Sequence, residues 1–155
     1  ARKAVFPSVP WQRCQFHLQQ NASAYVPKQA MQSEVHDKIR MVFNAPSKVE
    51  ALRLLKDTVD FYSKISPKLS EWLEENVVES LTVFEVPGLT ESQRKKLRTT
   101  NMIEFQNKEL KKRTRSIRVF PNKESLLRLI GAMLMELDEK WSSESKAYLK
   151  LNKGS

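Results

Sequence analysis

The chain is poor in glycine, cysteine and long apolar runs, and each shortage excludes a class of protein or site. Three glycines in 155 residues, at positions 88, 131 and 154, leave no glycine-rich loop that could cradle a nucleotide phosphate. A single cysteine excludes an intramolecular disulfide and fits a reducing cytoplasm. No apolar run approaches the roughly 18 residues that a membrane-spanning helix needs, and no charged-then-apolar leader opens the chain. We therefore expect a soluble, cytoplasmic protein without a membrane contact.

The composition favours a helical fold with a polyanionic partner. Hydrophobic residues make up 40% of the chain, which is enough for a core, and good helix formers such as Leu, Lys, Glu and Gln are common. The sequence therefore predicts a mainly α fold. Lys and Arg outnumber Asp and Glu by 27 to 18, a net charge of +9. Clustered positive charge of this size indicates nucleic acid as the partner.

Most of that positive charge lies between residues 94 and 118. This segment holds ten Lys or Arg and two acids, Glu104 and Glu109, so ten minus two gives +8. If residues 101–115 form a helix, five polar side chains share one stripe. They are Glu104, Asn107, Lys108, Lys111 and Arg115.

A carboxylate framed by cations on one helix face suits a metal-dependent enzyme that acts on phosphodiesters. The acid would hold a metal ion, and the cations would hold the phosphate backbone. The alternative is a solvated helix with intrahelical ion pairs, such as one between Glu104 and Lys108. Spacing alone leaves both interpretations open.

Apolar residues recur at helical spacing in several stretches after Pro27. Ser47 with Glu50 predicts a capping box, and Ser66-Pro67 predicts the start of another helix. The Pro87-Gly88 pair predicts a break. The apolar stripes run through Met31, Val35, Ile39, Val42 and Phe43, through Leu52, Leu55, Val59 and Tyr62, through Leu69, Trp72 and Leu73, and from Leu126 to Trp141. Trp72 and Trp141 are therefore expected in the core.

Residues 10–17 alternate loosely between two faces, which predicts a short strand near residues 11–17. Cys14 and His17 have a ligand-like spacing, but a tetrahedral zinc site needs four ligands and the only other histidine is His36. In a strand, Cys14 and His17 would point to opposite faces, which also opposes a shared metal. We expect Cys14 to pack as a small apolar side chain and His17 to form a hydrogen bond near the strand end.

Three groups of residues, in this order along the chain, resemble the signatures of the Mutator-type bacterial insertion-sequence transposases. They are Gln12-x-Cys14-x-x-His17 with Asn21, then Thr99-Thr100-Asn101-x-x-Glu104-x-x-Asn107-x-x-x-Lys111-x-Arg113, then Arg113-Thr114-Arg115 leading to Val119-Phe120-Pro121. The resemblance extends from about residue 6 to residue 148. One departure is Gln19-Gln20-Asn21, where the family usually has Arg-Asn after the histidine.

The resemblance implies the C-terminal part of a ribonuclease-H-like transposase with an Asp-Asp-Glu triad. Residues 1–26 would be the last strand and flanks of the ribonuclease-H-like core, residues 27–87 a helical insertion, and residues 88–152 the Glu-bearing basic helix and the C-terminal helices. Glu104 would be the catalytic carboxylate and a ligand of Mg²⁺ or Mn²⁺. Both Asp residues would precede Ala1, so the chain alone is expected to bind no metal and to be inactive.

The resemblance also implies roles for other residues and for partners. Cys14, His17, Asn101 and Asn107 would lie near the site. The expected DNA-binding residues are Lys108, Lys111, Lys112, Arg113 and Arg115. The expected partners are double-stranded DNA, as transposon ends and target, and further copies of the intact transposase. The expected location is the bacterial cytoplasm, associated with the nucleoid.

Two other hypotheses stay open on the sequence. One is a stand-alone basic helical protein that binds DNA and regulates a partner. The other is a protein-interaction bundle whose charge serves solubility only, and its DNA affinity would not fall steeply with added salt.

Overall fold

The computed structural model describes residues 2–117 and 120–143, and this part of the chain is mainly helical, as predicted. Short 3₁₀ turns join several of the helices. The helices are α1 (Arg2–Val5), α2 (Gln15–Ala22), α3 (Gln32–Phe43), α4 (Lys48–Ser63), α5 (Pro67–Val77), α6 (Glu91–Leu97), α7 (Asn101–Ser116) and α8 (Lys123–Ser143). None of them is both long and apolar enough to cross a membrane.

The described residues divide into two compact units, residues 2–99 and residues 100–143 without 118–119. Helices α1–α6 therefore belong to the first unit, and α7 and α8 to the second. The predicted division into residues 1–26, 27–87 and 88–152 is based on the family resemblance and not on compactness. It stays a prediction.

The core of the first unit is formed mainly by α3, α4 and α5, with α2 packed beside them. The stripe predicted for α3 is confirmed, because Val35, Ile39 and Val42 are at most 1% exposed. Leu73 of α5 is fully buried, and Trp72 is 8% exposed, as expected for a core residue. Burying each such aliphatic side chain contributes about 1.5–3 kcal/mol, so the stripe stabilises the unit.

Tyr62 of α4 carries a polar atom into this core. Its hydroxyl donates a hydrogen bond to Glu34 Oε1 at 3.2 Å. Burial, with the Glu34 carboxylate beside it, raises the pKa of Tyr62 to about 12. The phenol therefore stays protonated and keeps its donor at any physiological pH.

The predicted helix boundaries in this unit are largely confirmed. Ser47 caps α4, where its hydroxyl accepts the Glu50 backbone N–H at 3.2 Å. The other half of the predicted capping box is not formed, and the Glu50 carboxylate accepts hydrogen bonds from Arg53 instead. Pro67 is the first residue of α5, where its missing N–H costs nothing. The chain turns at Gly88, whose φ of 74° lies in the left-handed region that favours glycine.

The strand predicted near residues 11–17 is wrong, because α2 begins at Gln15 and no strand occurs in the described ranges 2–117 and 120–143. Gln15, Leu18 and Ala22 are the buried residues of α2, and their spacing of three and four is helical. The loose alternation of side chains between two faces in residues 10–17 is too short to override this helical spacing of buried residues. Residues 11–14 have no regular structure and are held by long-range hydrogen bonds instead.

Gln12 provides two of those hydrogen bonds. Its Nε2 donates to the Leu97 carbonyl at 3.0 Å, and its Oε1 accepts the Val83 N–H at 2.6 Å. The Arg13 N–H donates to the Glu79 carbonyl at 3.1 Å. The segment before α2 is therefore joined to the turns after α5 and to the C-terminal end of α6.

Gln15 is the second anchor of this region. It is 3% exposed, its backbone N–H donates to the Arg98 carbonyl at 2.9 Å, and its Nε2 donates to the Ser80 carbonyl at 2.8 Å. The Ser80 carbonyl replaces the water that Nε2 loses, whereas the buried Gln15 Oε1 has no hydrogen-bond partner among the described residues.

The second unit has little core among its described residues. Only Met133 is buried, at 6% exposure, and α7 contributes no buried residue. The expectation that Trp141 lies in a core is wrong, because its side chain is 47% exposed. The apolar stripe of α8 is present, but two helices alone cannot enclose it.

We predict that Leu73→Ala lowers the free energy of unfolding by about 2–5 kcal/mol, because it leaves a cavity in the packed core of the first unit. Val49→Ala is the matched control, since Val49 on α4 is 80% exposed. Urea unfolding followed by circular dichroism measures both. Equal losses for the two variants would contradict this assignment of the core.

We predict that Gln12→Leu destabilises the chain by about 1–3 kcal/mol, because it leaves the Val83 N–H and the Leu97 carbonyl without partners. Gln20→Leu on the exposed face of α2 is the control. The same urea titration checks the prediction, and a Gln12 variant as stable as the Gln20 variant would show that water replaces both bonds at no cost.

Candidate nucleic-acid interface

Helix α7 begins after Thr100 and carries Glu104 in its first turn. The Glu104 N–H donates to the Thr100 carbonyl at 2.9 Å, and the Thr100 hydroxyl donates to Glu104 Oε1. A carboxylate in the first turn interacts favourably with the positive end of the helix dipole. Thr100, the residue before α7, therefore orients the Glu104 side chain. The spacing of the Thr99-Thr100 pair in the motif did not indicate this role.

The predicted polar stripe of α7 exists in the structure. Helical residues three, four and seven positions apart share a face, and here they line one open depression of the surface. The lining residues are Glu104, Asn107, Lys108, Lys111, Lys112 and Arg115. All six are exposed. Four cations thus surround a single carboxylate on a surface that a large ligand can reach.

Arg113 lies on a different face of α7 from the other predicted DNA-binding residues. It is nine residues after Glu104, about two and a half helical turns, which places it opposite the carboxylate. Its Nη1 is 2.9 Å from Glu136 Oε2 of α8. That hydrogen bond, together with the charge of Glu136, raises the pKa of Arg113 above its usual value. The structure therefore groups four of the five predicted cations and separates the fifth.

The face of α7 that carries Arg113 borders a groove shared with α8. The groove has a volume of about 280 Å³ and is lined by five apolar and five polar side chains, the polar ones being Gln106, Glu109, Arg113, Glu136 and Lys140. The apolar lining includes Phe105, Leu110, Met133, Leu137 and Trp141. The described residues that line it include no Ser, Thr, Cys or His.

The remaining predicted residues are not all gathered on this face. Asn107 lines the depression, and Asn101 is the exposed first residue of α7. Cys14 directly precedes α2 in the first unit and is partly buried. His17 is exposed on α2, and its ring meets that of Phe16 edge-on, with centroids 5.4 Å apart. The roles proposed for these four residues stay predictions.

The described residues do not provide a complete metal site. No group of three or more His, Cys, Asp or Glu side chains occurs within residues 2–117 and 120–143. A hard divalent cation takes about six oxygens, whereas one carboxylate supplies at most two. Glu104 could therefore be a metal ligand only beside carboxylates from elsewhere.

Comparisons with known proteins agree with the motifs. A family model described as "Transposase, Mutator family" matches residues 1–144. The transposase for insertion sequence element IS406 of Burkholderia multivorans is 51% identical over 152 residues, which cover 98% of this chain and 38% of that protein. The transposase for element ISRM5 of Rhizobium meliloti is 33% identical over 148 residues, covering 96% of this chain and 36% of that protein.

A third relative is the transposase for element IS256 in transposon Tn4001 of Staphylococcus aureus. It is 32% identical over 159 residues, covering 99% of this chain and 38% of that protein. The chain thus spans less than two fifths of the length of these relatives. No solved structure matches the chain. Since the family model covers nearly the whole sequence, the chain belongs to the Mutator family of transposases.

Proposed function

We propose that this chain is the C-terminal part of a DNA transposase, in which the Glu104 face of α7 meets DNA and contributes to strand cleavage and strand transfer. The observation that carries the proposal is the exposed depression of α7, where one carboxylate lies among four cations. Membership of the Mutator family supports it, because the relatives named above are transposases.

The four cations on this face suit a phosphate backbone. Lys108, Lys111, Lys112 and Arg115 form no ion pair within residues 2–117 and 120–143, so their charges are available to a ligand. They span seven residues, or about 10 Å of helix at 1.5 Å per residue. That length matches about three phosphate steps along one strand of DNA. Such contacts position the duplex and read little of its sequence.

Glu104 is proposed as a catalytic residue of the intact enzyme. It would supply one carboxylate to a divalent-cation site, for Mg²⁺ or Mn²⁺, completed by two Asp residues from the rest of the parent protein. The bound ions would supply activation of the attacking oxygen. The part that this chain plays is to hold the carboxylate in place, through α7 and the Thr100 hydroxyl. The chain alone is predicted to be inactive.

The cationic neighbours also limit what Glu104 can do alone. Lys108 and Lys111 line the same depression, and their charge opposes a divalent cation. Only further carboxylates would reverse that local field. Asn107 on the same face would add a hydrogen-bond donor for a phosphate, and Asn101, Cys14 and His17 are proposed to lie near the completed site.

Further properties of the parent protein are proposals of the same kind. Transposon ends and target DNA are its proposed substrates, a homo-oligomer its proposed assembly, and the nucleoid its proposed location. A stand-alone DNA-binding regulator is not favoured, because the relatives that share nearly all of this sequence are transposases.

We predict that the chain binds duplex DNA with a log K versus log salt slope of about −4, as expected for four phosphate contacts. The triple variant Lys108→Gln, Lys111→Gln, Arg115→Gln should reduce that slope by about 2–3 units, since each lost contact removes roughly 0.9. Fluorescence anisotropy across a salt series measures the slope.

The matched control for this variant removes three charges from exposed lysines of the first unit, by Lys56→Gln, Lys64→Gln and Lys68→Gln. The net charge then falls equally in both proteins. An equal loss of slope would show that overall charge rather than the α7 face binds DNA. A wild-type affinity insensitive to salt would support the solubility-only hypothesis.

We predict that Glu104→Gln in the full-length transposase abolishes strand cleavage while DNA affinity stays within a few-fold of wild type. The amide keeps the shape of the side chain but loses the charge that holds a cation. Glu109→Gln is the control, because Glu109 lies on the groove side of the same helix. Cleavage by the Glu104 variant at a rate near that of the control would remove Glu104 from the catalytic role.

A further inference from the structure

The C-terminal end of α6, in the first unit, holds a second cationic cluster. Arg94 and Arg98 are four residues apart, which places them on one side of the helix. Arg98 is only partly exposed, and its Nη1 donates a hydrogen bond to Asn44 Oδ1, just after α3. Both side chains therefore face residues of the first unit rather than open solvent.

One edge of the Arg98 guanidinium is unused. Its Nε and Nη2 are buried and have no hydrogen-bond partner in the part of the chain that the structure describes. These two N–H groups form the fork with which arginine binds two oxygens of a phosphate or a carboxylate. An empty fork at a partly buried charge is unfavourable, since enclosed donors lose water and gain nothing in return.

Arg94 adds a second charge to the same place. Its guanidinium lies over the Phe84 ring, 5.3 Å from the centroid, and donates to the carbonyls of Leu89 and Pro46 at 3.4 and 3.3 Å. Its Nε is also buried and lacks a partner among the described residues. Burial, and next the charge of Arg94, lower the pKa of Arg98, and Glu91 only partly opposes this.

The nearby acids are engaged elsewhere. Glu91 pairs with Lys95 at 2.7 Å, and Glu85 pairs with Lys48. Arginine cannot shed its proton in a protein, so the two charges persist and repel each other. An anion between them would remove the repulsion and occupy the unused donors together, whereas a water molecule would satisfy the donors and leave the charges.

We propose that Arg98 and Arg94 form a phosphate site that receives a phosphodiester of the DNA backbone at the Nε–Nη2 edge of Arg98. This rests on the proposed function of the chain in DNA transposition. A phosphate is favoured over a carboxylate because α6 and Arg98 together carry Arg94, Lys95, Lys96 and Arg98 against the single acid Glu91. A cationic helix surface of this kind attracts a polyanion more strongly than it attracts one side chain.

The test begins with inorganic phosphate and the ¹⁵N-labelled chain. The Nε–H resonances of Arg94 and Arg98 should shift saturably with phosphate and not with chloride at equal ionic strength. Arg98→Lys keeps the charge but loses the fork, so it should abolish the saturable response. No saturable shift in the wild type, or an equal shift in the variant, would overturn the proposal whether or not the chain binds DNA.

A short DNA duplex then separates the DNA backbone from other sources of phosphate. Arg98→Gln, which loses both the fork and the charge, should weaken duplex affinity several-fold and reduce the salt slope by about one. Lys95→Gln, on the same helix but paired with Glu91, is the control and should change both less. Equal effects of the two variants would overturn the DNA assignment.

The full-length transposase provides the last arm of the test. In that protein, the Arg98 Nε–H resonance could already have the chemical shift of a hydrogen-bonded group without DNA and not shift when the duplex is added. A carboxylate of the parent protein would then occupy the fork, and the proposal would be wrong. The α7 triple variant should leave the inorganic phosphate response intact. Failure of this site is therefore distinguishable from failure of the proposed DNA-binding face.

Discussion

The 3.6-residue period of α7 is the constraint on which the candidate site depends. It places Glu104 and four cations on one exposed face and moves Arg113 to the face that pairs with Glu136 of α8. The helix thereby separates the charges that we propose to bind DNA from a charge that pairs with a second helix. A sequence with the same composition in another order would have the same net charge and no such face.

The two units differ in how many side chains they bury. The first encloses a core of aliphatic and aromatic side chains. The side chain of Gln12 joins its irregular segments to the end of α6, and that of Gln15 joins them to the turn after α5. The second encloses only Met133 among its described residues. Its helices expose Ile103, Phe105, Leu134 and Trp141, and α7, which carries the candidate site, has no buried residue among those described.

The regular parts of the structure could be predicted from local sequence. The α3 stripe, the Ser47 cap, the Pro67 helix start and the break before Gly88 each rest on residues within a few positions of one another, and each is confirmed. The same local logic defined the Glu104 stripe. It would also have separated Arg113, because nine residues bring a helix about half a turn from its starting face.

The wrong and missing predictions concern residues whose structure depends on parts of the chain that are distant in sequence. The strand expected near residues 11–17 failed because the segment is satisfied by carbonyls of Glu79 and Arg98, which lie far along the chain. Trp141 lies on an apolar stripe, yet a stripe cannot show whether a partner surface covers it. The unused edge of Arg98 depends on burial by other elements and on Asn44, 54 residues away, so no spacing rule could identify it.

The central claim is that DNA meets the Glu104 face of α7, and amide chemical-shift mapping of the ¹⁵N-labelled chain with a short duplex tests it most directly. The account predicts the largest changes of the second unit at residues 104, 107, 108, 111 and 115, with smaller changes at residues 106, 109 and 113 on the groove side. Changes concentrated on the groove side, or an α7 that does not respond while the duplex is bound, would contradict it.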